Sequence, residues 1–248
     1  KWLPLKRGRK SDGTFVDDCV EMGYQSEATG YGSTAMGYNC KASGNTAHAE
    51  NAGCKATGDN SHAEGNDCTA SGESSHAEGK KCTASGDYSH AGGYMTTASR
   101  ESAHAEGYQS TAEGFYSHAE GYQCKANGFS SSHAEGSFTT ASGDGSHAEG
   151  NQTVASGSNS HAEGNQTVAS GRYSHAEGEN CIASGCASHA HSSCNYDDAS
   201  FTDMVGVGTG VSARKNASVI YVRRFVGGTI DYTDSKNGYQ YLLDVGGY

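Results

Sequence analysis

Apolar side chains never run on for long in this chain. Small apolar and polar residues instead alternate in two short runs that keep returning. SHAEG occupies Ser61 to Gly65 and recurs from Ser75, Ser117, Ser132, Ser146, Ser160 and Ser174. Between its first two copies lies a second run, CTASG, from Cys68 to Gly72. Alternation with period two marks strands, whose successive side chains point to opposite faces. It sets Ser61, Ala63 and Gly65 on one face and His62 and Glu64 on the other. In the second run Cys68, Ala70 and Gly72 face one way, Thr69 and Ser71 the other. Only small residues recur on the first face of each run, so that face is the expected interior.

The histidines measure the repeat. They stand at 48, 62, 76, 90, 104 and 118, then, after one step of fifteen through FSSSHAEG, at 133, 147, 161, 175 and 189. Every other step is fourteen. Two strands and two turns per period describe one thin coil of a parallel β-solenoid, stacked at ~4.8 Å per coil. About thirteen coils between Cys19 and Phe201 make a rod on the order of 60 Å long at that rise. The expected fold is therefore all-β: a roll of 14-residue coils over 19–200, after an N-terminal attachment segment, 1–18, and before a small C-terminal β-module, 201–248. In that module VGVGTG and Ser218 to Val222 read as strands, Gly227-Gly228 and Lys236 to Gly238 as turns, and Tyr239 to Val245 as a further strand. A hairpin there would cover the unpaired edge of the last coil.

Composition changes the picture in one respect. With 36 Gly among 248 residues and few Leu, Ile, Val or Phe, the chain would ordinarily read as disordered. Its Gly, Ala and Cys are in phase, however, and small residues on a fixed period pack backbones without a bulky core. A formal net charge of −11 opposes a phosphate backbone, so nucleic acid is not an expected partner. The basic start, KWLPLKRGRK, reads as a solvated attachment segment. It has neither an initiating Met nor the apolar core of a signal peptide, which suggests an internal piece of a longer chain. No stretch is long and apolar enough for a transmembrane helix, so no membrane insertion is expected.

A His two residues before a Glu suggests proton transfer or metal binding. Catalysis needs a pocket and a distinct perturbed pair. Near-identical dyads along a rod supply neither, and no nucleophile recurs beside them, so the dyads are expected to be structural. Ala63-Glu64-Gly65 and Cys68-Thr69-Ala70-Ser71-Gly72 resemble the head repeat of trimeric autotransporter adhesins, YadA-like proteins with a left-handed parallel β-roll. The SHAEG version resembles repeats in bacteriophage tail fibres and neck appendages. The resemblance implies a homotrimer whose first-strand outward residues, typically Val and Ile, face the threefold axis. Here the first coils keep Val20 and Met22, then Thr34 and Met36, and later coils place His and Glu in those slots. The implied seam comprises His62, Glu64, His76, Glu78, His118, Glu120, His147, Glu149, His161, Glu163, His175 and Glu177.

Three irregularities stand out in the shaft. Gly92 replaces Glu, leaving His90 without its usual companion; Arg100 occupies a Gly slot, predicting a bulge or an outward side chain; and a turn before His133 carries an extra residue. The last coil, SHAHSS, sets His189 and His191 on one outward face. In a threefold assembly such pairs bring six imidazoles to the axis, which suits an octahedral transition metal, iron first and nickel or zinc after it. The pair resembles the H-x-H iron sites of phage long tail-fibre tips.

Nine Cys suggest disulfides or zinc by number, but phase argues otherwise. Cys40, Cys54, Cys68, Cys82, Cys124 and Cys181 share a slot filled elsewhere by Ser26, Ser110, Thr96, Thr139, Thr153 and Thr167. Such a slot predicts buried free thiols, which fit a reducing cytoplasm. The outward Thr69/Ser71, Thr83/Ser85, Thr97/Ser99 and Thr140/Ser142 resemble the T-x-T faces of ice-binding solenoids, although Lys41, Lys55, Glu113, Lys125, Val154, Val168 and Ile182 interrupt the array. The expected function is mechanical rather than enzymatic: a trimeric fibre or appendage of a bacteriophage virion for host attachment. Its partners would be other virion tail proteins and a host cell-surface receptor. The alternative is the head of a bacterial trimeric autotransporter adhesin at the cell surface, with ice binding more remote.

Overall fold

A computed structural model describes residues 15–193 and the strands Lys6–Arg9, Asp203–Val207 and Asn216–Ile220, with side chains from Cys19 to His191. The described residues contain no helix. Two strands per coil build two sheets, one of sixteen strands and one of twelve. The longer strand of each coil carries the His, as in His76–Lys80, and the shorter carries the Thr, as in Thr83–Ala84. Coil-to-coil pairing is parallel and in register: His62, His76, His90 and His104 are successive partners, as are Thr69, Thr83 and Thr97. The fold is the parallel β-solenoid that the fourteen-residue period predicts.

The lumen contains what the alternation requires. Ala63, Cys68, Ala70 and Ala77 are fully buried, and the largest wholly buried side chains are Thr and Cys. The serine of SHAEG closes the turn that precedes it. Ser61 Oγ donates to the Gly58 carbonyl at 2.6 Å, and Ser75, Ser117, Ser146 and Ser174 repeat this bond. Each hydroxyl thereby adds a short second bond to a turn carbonyl that, as at Gly58, also accepts the serine's own backbone N–H.

Two turns per coil need left-handed backbone, and polar non-glycine residues supply most of it. Asn39, Asp67, Gln109, Gln123 and Gln166 do so after the first strand, and Asn60, Ser74, Tyr88 and Asn159 before the next. Both are exposed or half-buried slots, and in the first the side chains bond coil to coil: Gln123 Nε2 donates to Gln109 Oε1 at 2.8 Å, and Gln166 Nε2 to Gln152 Oε1 at 2.8 Å. The glycine ending SHAEG is harder to replace, and among the HAE-containing coils only Asn51, at φ +77°, stands in its slot. At Gly121 φ is +115°, and an added Cβ would lie 2.1 Å from the Gly136 carbonyl oxygen of the next coil.

The irregularities are absorbed locally. The extra residue before His133 lies in the turn around Phe129 and Ser130, and His118 still pairs with His133. Arg100 causes no bulge at its strand, since Thr97 pairs with Thr111 and Ala98 with Ala112. Its side chain is exposed, with the guanidinium 5.2 Å from the Phe115 ring centre.

At the N-terminal end, Lys6–Arg9 pairs antiparallel with Phe15–Tyr24, a strand that runs across the expected boundary at residue 19. At the other end, Asp203–Val207 continues the larger sheet in parallel with His189–Ser193, and Asn216–Ile220 pairs antiparallel with it. The turns and strand expected from 227 to 245 lie outside the described residues.

Cys40, Cys54, Cys68, Cys82 and Cys124 are free thiols buried in the lumen, whereas Cys186 is free and exposed. Burial raises the Cys40 thiol pKa, and hydrogen bonding between neighbouring thiols, followed by burial, raises that of Cys82. A native chain treated with an aromatic disulfide reagent should therefore label at Cys186 within minutes. The five lumenal thiols should label only on unfolding, as peptide mass mapping would show.

Candidate functional site

The outward face of the larger sheet carries two files of side chains. One runs from Val20 through Thr34 and His48 to His62, and the other from Met22 through Met36 to Glu50. Met22 is exposed, so an apolar side chain stands open at the start of the same file that carries the carboxylates.

Along the histidine file, ring centres of successive coils lie between 4.5 and 5.1 Å apart, at packing distance. The carboxylates take two arrangements. From His104 to His147 each imidazole faces the Glu of its own coil, as in His118–Glu120 at 3.5 Å and His147–Glu149 at 3.5 Å. Towards either end the Glu reaches forward to the next coil, as in Glu64–His76 at 3.4 Å and Glu177–His189 at 3.4 Å. Glu50 lies between His48 and His62, at 3.5 and 3.8 Å, and Glu163 between His161 and His175, at 3.9 and 3.7 Å.

His90 is the corrected expectation. It keeps a companion, because Glu78 of the preceding coil contacts its Nε2 at 3.3 Å. A Cβ at Gly92 would sit 3.4 Å from that same carboxylate, so the missing side chain leaves room for the inter-coil contact.

The imidazoles are about one-third exposed, with His118 at 35%. Burial, followed by the charge of neighbouring imidazoles, lowers the pKa of His62, His90, His118, His147 and His175 below the usual value. The nearby carboxylates oppose this shift without reversing it. At neutral pH these rings are therefore neutral donors and acceptors rather than cations.

His189 and His191 share the outward face, with ring centres 5.0 Å apart and planes tilted by 39°. The two rings are neighbours on the face where the H-x-H resemblance would place an axial metal. His189 also groups with His175 and Glu177 within its own chain.

The structure adds a feature that the strand alternation did not single out. Tyr94, Tyr108 and Tyr122 form an aromatic file at the end of the first strand, joined by Phe138 from the turn that follows, with centres about 5 Å apart, and Tyr24 stacks on Tyr38 at 5.5 Å. Most of these rings are exposed. Gln109, Gln123, Lys125, Phe138 and Thr140 line a shallow open groove beside the file. The signal was present in the fourteen-residue spacing of Tyr94, Tyr108 and Tyr122.

The decisive observation is a coil of this length with small residues inward and paired slots outward on its first strand. Residues 22–40, 134–160 and 162–185 match the family model of the YadA head domain repeat. Those segments are similar to YadA head repeats. YadA-like domains form homotrimers. No curated protein matches the chain significantly. In the YadA-repeat frame, the His and Glu files occupy the first-strand outward slots.

Proposed function

We propose that this chain is the rod-shaped head of a trimeric adhesin, with the His/Glu files as the seam between three protomers. The continuous outward file carries this reading: exposed Met22 and the carboxylates of later coils stand in one register, inside a solenoid with segments similar to YadA head repeats. The seam comprises His62, Glu64, His76, Glu78, His118, Glu120, His147, Glu149, His161, Glu163, His175 and Glu177. Assembly there would bring imidazoles and carboxylates of three chains together, satisfying groups that are costly to bury alone.

The rod presents three copies of its outer surface, so attachment to a target surface would arise from many weak contacts rather than one pocket. The exposed aromatic and glutamine files are the surface such contacts would use. A second reading, a bacteriophage fibre bound to other virion tail proteins and a host receptor, rests on the lumenal thiols, which fit a reducing assembly compartment. The repeat match favours the adhesin head.

Sedimentation equilibrium tests the assembly. Each chain weighs 25.6 kDa, and the expected particle contains three. Glu120→Lys with Glu149→Lys places like charges at two layers of the seam and should shift the mass to that of one chain. A wild-type mass of one chain overturns the trimeric head.

A further inference from the structure

Four His–Glu–His groups in the outward file have the composition of ligand sets. These are His48, Glu50 and His62; His62, Glu64 and His76; His147, Glu149 and His161; and His175, Glu177 and His189. In each, two imidazole nitrogens and a carboxylate oxygen lie within 4.8 Å of one another. Imidazole and carboxylate together suit divalent first-row transition ions, and Zn²⁺ readily accepts three protein ligands and a water.

The spacing is open enough to admit a cation. Glu50 stands 3.5 Å from His48 and 3.8 Å from His62, Glu64 stands 3.4 Å from His76, and Glu149 stands 3.5 Å from His147. An N–H···O bond spans about 2.7–3.2 Å. Two ligands each about 2.0–2.1 Å from one tetrahedral ion lie roughly 3.3 Å apart. These contacts are too open for good hydrogen bonds, and an ion entering a group would draw its two imidazoles and carboxylate inward from the 4.8 Å within which they lie. The Nε2 atoms of His62, His76, His147 and His161 are also shut off from solvent without a hydrogen-bond partner.

We propose that the His/Glu file is a string of inter-coil sites for a divalent transition ion, Zn²⁺ by preference, each held by imidazoles of two successive coils and the carboxylate between them. The first two groups share His62, so one chain fills three sites at once. Every group is built by one protomer, and the proposal stands whether or not three chains share the face. A bound ion clips one coil to the next along the rod axis. These sites differ from an axial H-x-H metal, because His191 belongs to none of them.

The test uses the full chain without an affinity tag, stripped with a chelator and equilibrated with Zn²⁺ at neutral pH. Elemental analysis should find three ions per chain, and excess Mg²⁺ should displace none. Glu149→Gln keeps the side-chain shape and should lower the count by one. His118→Gln, outside all four groups, should leave it unchanged. Added Zn²⁺ should also raise the melting temperature of the wild type. Fewer than one ion per chain, or a Glu149→Gln count equal to that of the wild type, overturns the proposal. The particle mass reports on trimer assembly separately, so the two failures are distinguishable.

Discussion

Gly121→Ala should cost the solenoid about 3 kcal/mol or more, on the order of the largest effects seen for single substitutions. Two independent causes act at this position. The backbone has φ +115°, which side chains of L-residues rarely adopt, and the added Cβ would meet the Gly136 carbonyl oxygen at 2.1 Å. That oxygen belongs to the ladder between coils and cannot withdraw without breaking the pairing of Gly121 with Gly136. The neighbouring coils would then separate, and thermal unfolding should lose its single sharp transition. Gly32→Asn is the control. Its φ is +63°, and a Cβ there makes ordinary contact with Thr46 Cγ2 at 3.4 Å. Asn60 and Asn159 already hold this turn conformation in later coils, so Gly32→Asn should be neutral or stabilise by about 0.4–1 kcal/mol through the unfolded chain. Denaturant melts of both variants provide the comparison.

Acidification should weaken the fold across the imidazole range. The pKa values of His62, His90, His118, His147 and His175 are lowered in the folded chain by burial and by one another. Below the unfolded value near 6.5, the unfolded chain binds protons that the folded chain refuses. Stability from this source is fully present above about pH 6.5 and is lost as pH falls through the lowered folded values. Each excess proton steepens the dependence by at most about 1.4 kcal/mol per pH unit, and the partial exposure of the rings reduces this. The melting temperature, measured with a chelator present, should fall from about pH 7.5 to about pH 5.5, the range that spans the ordinary imidazole value. A flat profile would mean that the file ionises as freely in the folded as in the unfolded chain.

Much of the fold was legible because a strand has only two faces. Once Ala63 and Cys68 were seen to recur in phase, the lumen, the coil and the outward His and Glu followed from period two alone. The period does not report side-chain torsions, which decide whether Glu64 turns to His62 or forward to His76. That is why His90 was expected to stand alone and instead takes Glu78. The turns were legible as polar links, but not their left-handed backbone, because residues such as Gln109 and Tyr88 hold it in place of glycine. At Gln109 the conformation is supported by the amide of Gln123 one coil away, a contact that only the assembled register makes visible. Arg100 shows the converse. A glycine slot filled by a large residue suggested a bulge, but the side chain had open space outward and the strand kept its pairing.

The seam between protomers is tested most directly by footprinting the histidines. In a lone chain each imidazole is about one-third exposed, and hydroxyl radicals in the solvent would oxidise its ring. With three chains joined through this face, His118, His133 and His147 should be protected in the particle and become reactive when it is dissociated, as read residue by residue from modified peptides. Equal modification of these histidines before and after dissociation would contradict the seam and place the His/Glu files on the outer surface of the rod.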